Sequence, residues 1–156
     1  MNIHSEQQTE LVNLGLLIEQ GKMSKKDAIL KAALILFSQR SFYGTTMPEI
    51  AKKAGVGAGT IYRYFSSKEA LVNELFVLVM DEFNAELEND FPDKMNSRVQ
   101  FHHLFKSIWD FMNNHLDAFI FINLHDQGEY LDDKKPCLFN RLWNFASEVI
   151  QRAFNR

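Results

Sequence analysis

A chain of 156 residues with one cysteine, Cys137, can bury a real hydrophobic core in one or two small domains but cannot form an internal disulfide. Its longest apolar runs are too short to span a bilayer, and its N-terminus lacks the basic start of a secretory signal, so a cytoplasmic protein is the simplest expectation. The net charge of -3 conceals an asymmetry: Met23 to Lys68 holds eight basic and two acidic residues, whereas Glu69 to Arg156 holds eight basic and fifteen acidic ones. A basic head on an acidic body fits a polyanion-binding module, and equally well a merely solvated basic surface.

Helical periodicity runs through almost every segment. Ile29, Ala33, Leu36 and Phe37 define one face of a first helix over Ser24 to Arg40, with Ser24 as N-cap and Asp27 completing a box-like start. Gly44 offers a positive-φ position after it. Thr46-Met47-Pro48-Glu49 is a capping box in which the Thr46 hydroxyl accepts from the Glu49 amide and Glu49 reaches back. Met47, Ile50, Ala51 and Ala54 form the apolar face of this short second helix, which Gly55 stops. A third helix over Ala58 to Phe65 points Ile61 and Phe65 inward. Ser66-Ser67-Lys68-Glu69 caps a long fourth helix over Lys68 to Asn89, whose two apolar stripes (Leu71, Leu75, Leu78 and Val72, Phe76, Val79, Phe83) demand cover on more than one side. Next comes a helix over Ser97 to Asn114 with Phe101, Leu104, Phe105, Ile108 and Met112 as its buried face. The apolar run Phe119 to Leu124 is expected to be a buried helix, since a lone strand has nothing to pair with. A final helix spans Lys135 to Phe154, with Leu138, Leu142, Phe145, Ala146, Val149 and Ala153 on one face.

Two short helices joined by the tight turn Ala54-Gly55-Val56-Gly57 can place the second in the major groove of DNA. Val56 plugs the angle between them. The small residues Gly57, Ala58, Gly59 and Thr60 allow close approach to base edges or backbone, where free helix amides favour phosphate. Tyr62, Tyr64 and Lys68 supply donors for the DNA backbone, and Arg63 is the long side chain able to contact guanine through two bonds. Each has a plainer alternative: Tyr62 and Tyr64 as packing residues, Lys68 as a solvated charge, Thr46 as a cap alone. The glycine-rich stretch is no nucleotide loop, because no strand precedes it and no Gly-Lys-Ser/Thr follows.

The order Gly44-Thr45-Thr46, Glu49-Ile50-Ala51, Ala54-Gly55-Val56, Gly59-Thr60-Ile61-Tyr62-Arg63-Tyr64-Phe65, Lys68-Glu69 and Leu71, at this spacing, resembles the N-terminal domain of the TetR family of bacterial transcriptional regulators. The match covers roughly Asp27 to Phe76. The resemblance implies a dimer, usually a repressor, that binds a palindromic operator in double-stranded DNA and releases it when a small molecule enters the helical C-terminal domain. It makes Thr46 a phosphate anchor, places Gly57, Ala58, Gly59, Thr60, Tyr62 and Arg63 in the base- and phosphate-contacting stretch, and makes Tyr64 and Lys68 further phosphate contacts. The expected fold is all-α. An N-terminal three-helix helix-turn-helix head (residues 23–70, motif 46–65) is joined by the long fourth helix to a helical ligand-binding and dimerisation body (71–156). That body is expected to end short of the family's last helices. Met23 resembles the family's natural start, so residues 1–22 read as a leader: vector-derived, an upstream misread start, or an amphipathic arm with Leu11, Leu14 and Ile18 on one side.

Eleven of the fourteen phenylalanines and both tryptophans follow Lys68. A body so aromatic can line a pocket for a small apolar or aromatic effector, with Phe105, Trp109, Met112, Phe121 and Trp143 as candidates, or simply be an aromatic core. His102, His103, His115 and His125 lack the spacing of a metal site, and no nucleophile–base motif occurs, so neither a metal, a cofactor nor an enzyme is expected. The rival class is an interaction or sensor module derived from such a regulator that no longer binds DNA.

Overall fold

The computed structural model describes residues 23–125 and 128–132, with the isolated positions 147, 148, 150, 151 and 154. Among these there are six helices and no strand: α1 (Lys25–Arg40), α2 (Met47–Lys53), α3 (Ala58–Tyr64), α4 (Lys68–Glu88), α5 (Ser97–Asn114) and α6 (Leu116–His125). The leader and most of the final expected helix lie outside the described residues.

Local chemistry sets the helix starts. The Ser24 hydroxyl accepts from the Asp27 amide at 3.1 Å while the Asp27 carboxylate takes the Ser24 amide at 3.0 Å, satisfying two donors that a helix start leaves open. α4 starts at Lys68 as expected, but its cap is the second serine of the expected box. Its N-cap is Ser67, whose hydroxyl accepts from the Ala70 amide at 3.1 Å. The turn after α1 also differs from expectation. Positive φ falls on Ser41 (58°), while Gly44 is required for a different reason: a Cβ there would lie 2.2 Å from the Arg40 carbonyl oxygen.

The head packs α1, α2, α3 and the first turns of α4 around Ile29, Ala33, Phe37, Ile50, Ile61 and Leu71. The apolar run at Phe119 to Leu124 is helical, within α6, and α6 lies against α1. Phe37 of α1 stacks on Phe121 of α6 (centroids 6.2 Å), and the Ser38 hydroxyl donates to the Asp117 carboxylate at 3.1 Å. Head and body therefore share one core. α4 carries both expected apolar stripes, covered by α1 on one side and by α5 and α6 on the other.

On α5 the buried residues are Gln100, Leu104, Ser107 and Phe111, while Phe101 and Phe105 are exposed. The buried face is rotated from the one that apolar side chains alone define. The Gln100 amide can be buried because it donates to the carbonyls of Pro92 and Asp93 at 3.1 and 3.0 Å.

Candidate nucleic-acid interface

The α2–α3 turn is built around Gly55, whose φ of +69° is the left-handed region that favours glycine. The Val56 amide donates to the Ala51 carbonyl at 3.0 Å, and its half-buried side chain packs on the core between the two helices. With Ile61 and Phe65 fully inward, the opposite side of α3 faces solvent. There Gly57, Ala58, Gly59, Tyr62, Arg63 and Tyr64 are all exposed and Thr60 is half-buried. Tyr62 and Tyr64 keep 53% and 44% of their surface, so neither serves mainly as packing.

The glycines on this surface are not demanded by the fold. A Cβ on Gly59 would meet nothing within 4 Å, and one on Gly57 would meet only the Thr60 hydroxyl at 3.7 Å. Their smallness creates open space on the outside of the molecule, flanked by two phenols and a guanidinium. That is a surface suited to close approach by a large, polar, anionic partner.

Thr46 is exposed at the start of α2. Its hydroxyl donates to the Glu49 carboxylate at 2.7 Å and its amide donates to the same oxygen at 2.9 Å, within the expected capping box. These bonds, with Arg40 at 3.2 Å, hold the Glu49 carboxyl below its ordinary range. To donate to a phosphate, the Thr46 hydroxyl must leave Glu49. Lys68 also has an internal role that sequence did not reveal. Its ammonium donates to the carbonyls of Phe42 and Thr45, both at 2.8 Å, and lies 4.2 Å from the Phe42 ring centroid. Lys68 thereby clasps the α1–α2 turn, and one of its three N–H groups remains for a phosphate.

The described residues among those expected to line an effector pocket are not brought together. Phe121 is fully buried between Phe37 and Phe76, Phe105 and Trp109 point outward from α5 (59% and 61% exposed), and Met112 is half-buried. Trp143 lies outside the described residues. A polar position that the sequence pattern does not mark is Asn84, buried on the apolar face of α4, whose amide nitrogen has no hydrogen-bond partner among the described residues. The only signal in the sequence is an amide at core spacing between Met80 and Leu87. Two residues before Asn84, burial raises the Glu82 carboxyl above its ordinary range, opposed by His115, whose Nδ1 is 3.9 Å away. The remaining histidines are dispersed: His103 stands against Phe91, and His125 is enclosed by Phe37, Phe121 and Tyr130.

The family model described as bacterial regulatory proteins, tetR family, matches residues 29–75, and that of the tetracyclin repressor-like C-terminal domain matches residues 76–156. The chain belongs to the TetR family. Its relatives are transcriptional regulators, not enzymes. An uncharacterized HTH-type transcriptional regulator of Haemophilus influenzae is 32% identical over 138 residues, covering 87% of this chain and 73% of that protein. The HTH-type transcriptional repressor KstR2 of Rhodococcus jostii is 25% identical over 129 residues; the match covers 83% of this chain and 59% of KstR2. The crystal structure of a TetR family transcription regulator from Shewanella sp. PV-4 superposes with a TM-score of 0.72 at 26% identity, covering 85% of this chain and 71% of that one. α2 and α3 lie within the matched residues 29–75 and form the helix-turn-helix of this TetR-like fold.

Proposed function

We propose that this TetR-family regulator is a cytoplasmic, homodimeric repressor whose α3 lies in the major groove of each half-site of a palindromic operator. In this reading, residues 23–70 hold the DNA and residues 71–156 sense an effector and pair the subunits. The observation that carries it is the outer surface of α3: glycines that the fold does not require, open to solvent and bordered by Tyr62, Arg63 and Tyr64. Arg63 reads a guanine, Gly57 to Thr60 let the backbone come close, and Thr46, Tyr62, Tyr64 and the third N–H of Lys68 hold phosphates. That the KstR2 relative is a transcriptional repressor supports repression as the sign of regulation.

The effector is a small molecule with an apolar or aromatic frame. The aromatic content of the body supports this, and the buried amide of Asn84 adds a donor suited to one acceptor oxygen. Tryptophan fluorescence titrated with a panel of such compounds tests it, and a panel without a single response would count against it.

The DNA reading is tested by selecting binders from a random duplex pool with the full chain. An enriched inverted repeat with half-sites about one helical turn apart is expected. Arg63→Ala should lose about 1–3 kcal/mol of discrimination at one base pair of each half-site. A pool without enrichment would overturn the reading.

A further inference from the structure

The segment that follows α6 returns to the head and is fastened there at three points. Asn73 of α4 binds it on both sides: its amide donates to the Tyr130 carbonyl at 2.8 Å, and its oxygen accepts from the Asp132 amide at 2.9 Å. The Tyr130 ring lies nearly parallel to that of Phe42, with centroids 3.9 Å apart, and edge-on to Tyr43 at 6.0 Å. The Tyr130 hydroxyl is hydrogen-bonded to Nδ1 of His125, which is fully buried. Gly128 makes this seat possible. A Cβ there would stand 2.5 Å from the Tyr130 ring, so even alanine would have to displace it.

What the ring rests on matters for function. Phe42 opens the α1–α2 turn, its carbonyl is one of the two that hold the Lys68 ammonium, and four residues later Thr46 caps α2. Phe42 thus has the body's Tyr130 on its ring and the head's Lys68 on its ring and carbonyl.

We infer that residues 128–132 are a strap from the body that sets the position of the α1–α2 turn, with Tyr130 and Asn73 as positioning residues for DNA binding. The strap rests on the DNA-binding reading proposed above for its consequence, though not for its existence. It bypasses the covalent path through α2 and α3: the body grips the loop that carries the start of the helix-turn-helix. Burial raises the Tyr130 phenol above its ordinary range, so the hydroxyl stays protonated and bonded at neutral pH.

Amide hydrogen exchange on the full chain tests this, beside DNA affinity, in Gly128→Ala, Tyr130→Leu and Tyr130→Phe, with Asn73→Ala as a variant that leaves the aromatic packing untouched. In Gly128→Ala, Tyr130→Leu and Asn73→Ala, exchange across residues 41–46 should rise about tenfold while α5 exchanges as in the parent. DNA affinity should fall about fivefold or more in the same three. Tyr130→Phe keeps the stacked ring and should restore both readouts to within about twofold. Unchanged exchange at 41–46, equal loosening of α5, or failure of Tyr130→Phe to restore the parent behaviour would overturn the strap. A parent chain that binds no duplex would remove the DNA reading instead, and the exchange result would still decide the strap.

Discussion

At the scale of single residues, the glycines divide by what surrounds them. Gly44 stands where any Cβ would press on a main-chain carbonyl, and backbone cannot move aside cheaply. Gly44→Ala should therefore cost about 1–3 kcal/mol in a denaturant titration, and an unchanged midpoint would show that the turn relaxes. A glycine after a helix was readable from sequence, but its purpose was not: a positive φ was expected at Gly44, whereas the strained position is Ser41. Composition cannot distinguish a residue needed for its torsion from one needed for its missing side chain, because only the neighbours decide. Lys68 teaches the same point. A lysine near a helix start reads as a charge available for phosphate, and the carbonyls of Phe42 and Thr45 that occupy it are more than twenty positions away in the chain.

At the scale of elements, helices and their caps were largely legible because both follow from local spacing. Errors arose where two local solutions competed. Ser66 and Ser67 each offer a cap, and Ser67 takes it. Ser67→Ala should cost about 1 kcal/mol while Ser66→Ala costs little, and the reverse order would contradict the cap assignment. The α5 face differs from expectation because Gln100 and Ser107 are buried with partners while the bulkier Phe101 and Phe105 are exposed. Polar satisfaction is invisible to a hydrophobic pattern. α4 holds a pH-sensitive position at Glu82, whose folded pKa is raised by burial, with His115 opposing. A raised folded pKa means that the native state holds the proton more tightly than the unfolded chain. Its stabilisation is full below the ordinary value of 4.5 and is lost as pH rises through the folded value. Glu82→Gln should therefore gain stability over the parent on going from pH 4 towards neutrality, about pH 7, as followed by urea midpoints. Parallel pH profiles for the two proteins would contradict this.

At the scale of the whole molecule, the charge pattern already divided the chain into a basic head and an acidic body, and the spacing from Gly44 to Leu71 marked the head as a TetR-type helix-turn-helix. What remained hidden was how closely the two parts are joined. Phe37 reaches Phe121, Ser38 reaches Asp117, and Asn73 fastens residues 128–132, all across long sequence separations that no periodicity encodes. Under the function proposed above, this shared core couples an effector in the body to the DNA-reading surface. The central claim is that this surface is the outer side of α3. Gly59→Glu tests it most directly, since the new side chain meets none of the protein's own atoms at its Cβ and an acid near a helix start is favourable. Its unfolding midpoint should equal or exceed that of the parent, while DNA affinity in a fluorescence anisotropy titration falls by roughly a hundredfold or more from like-charge repulsion with phosphate. A folded Gly59→Glu variant that binds DNA as tightly as the parent would contradict the account.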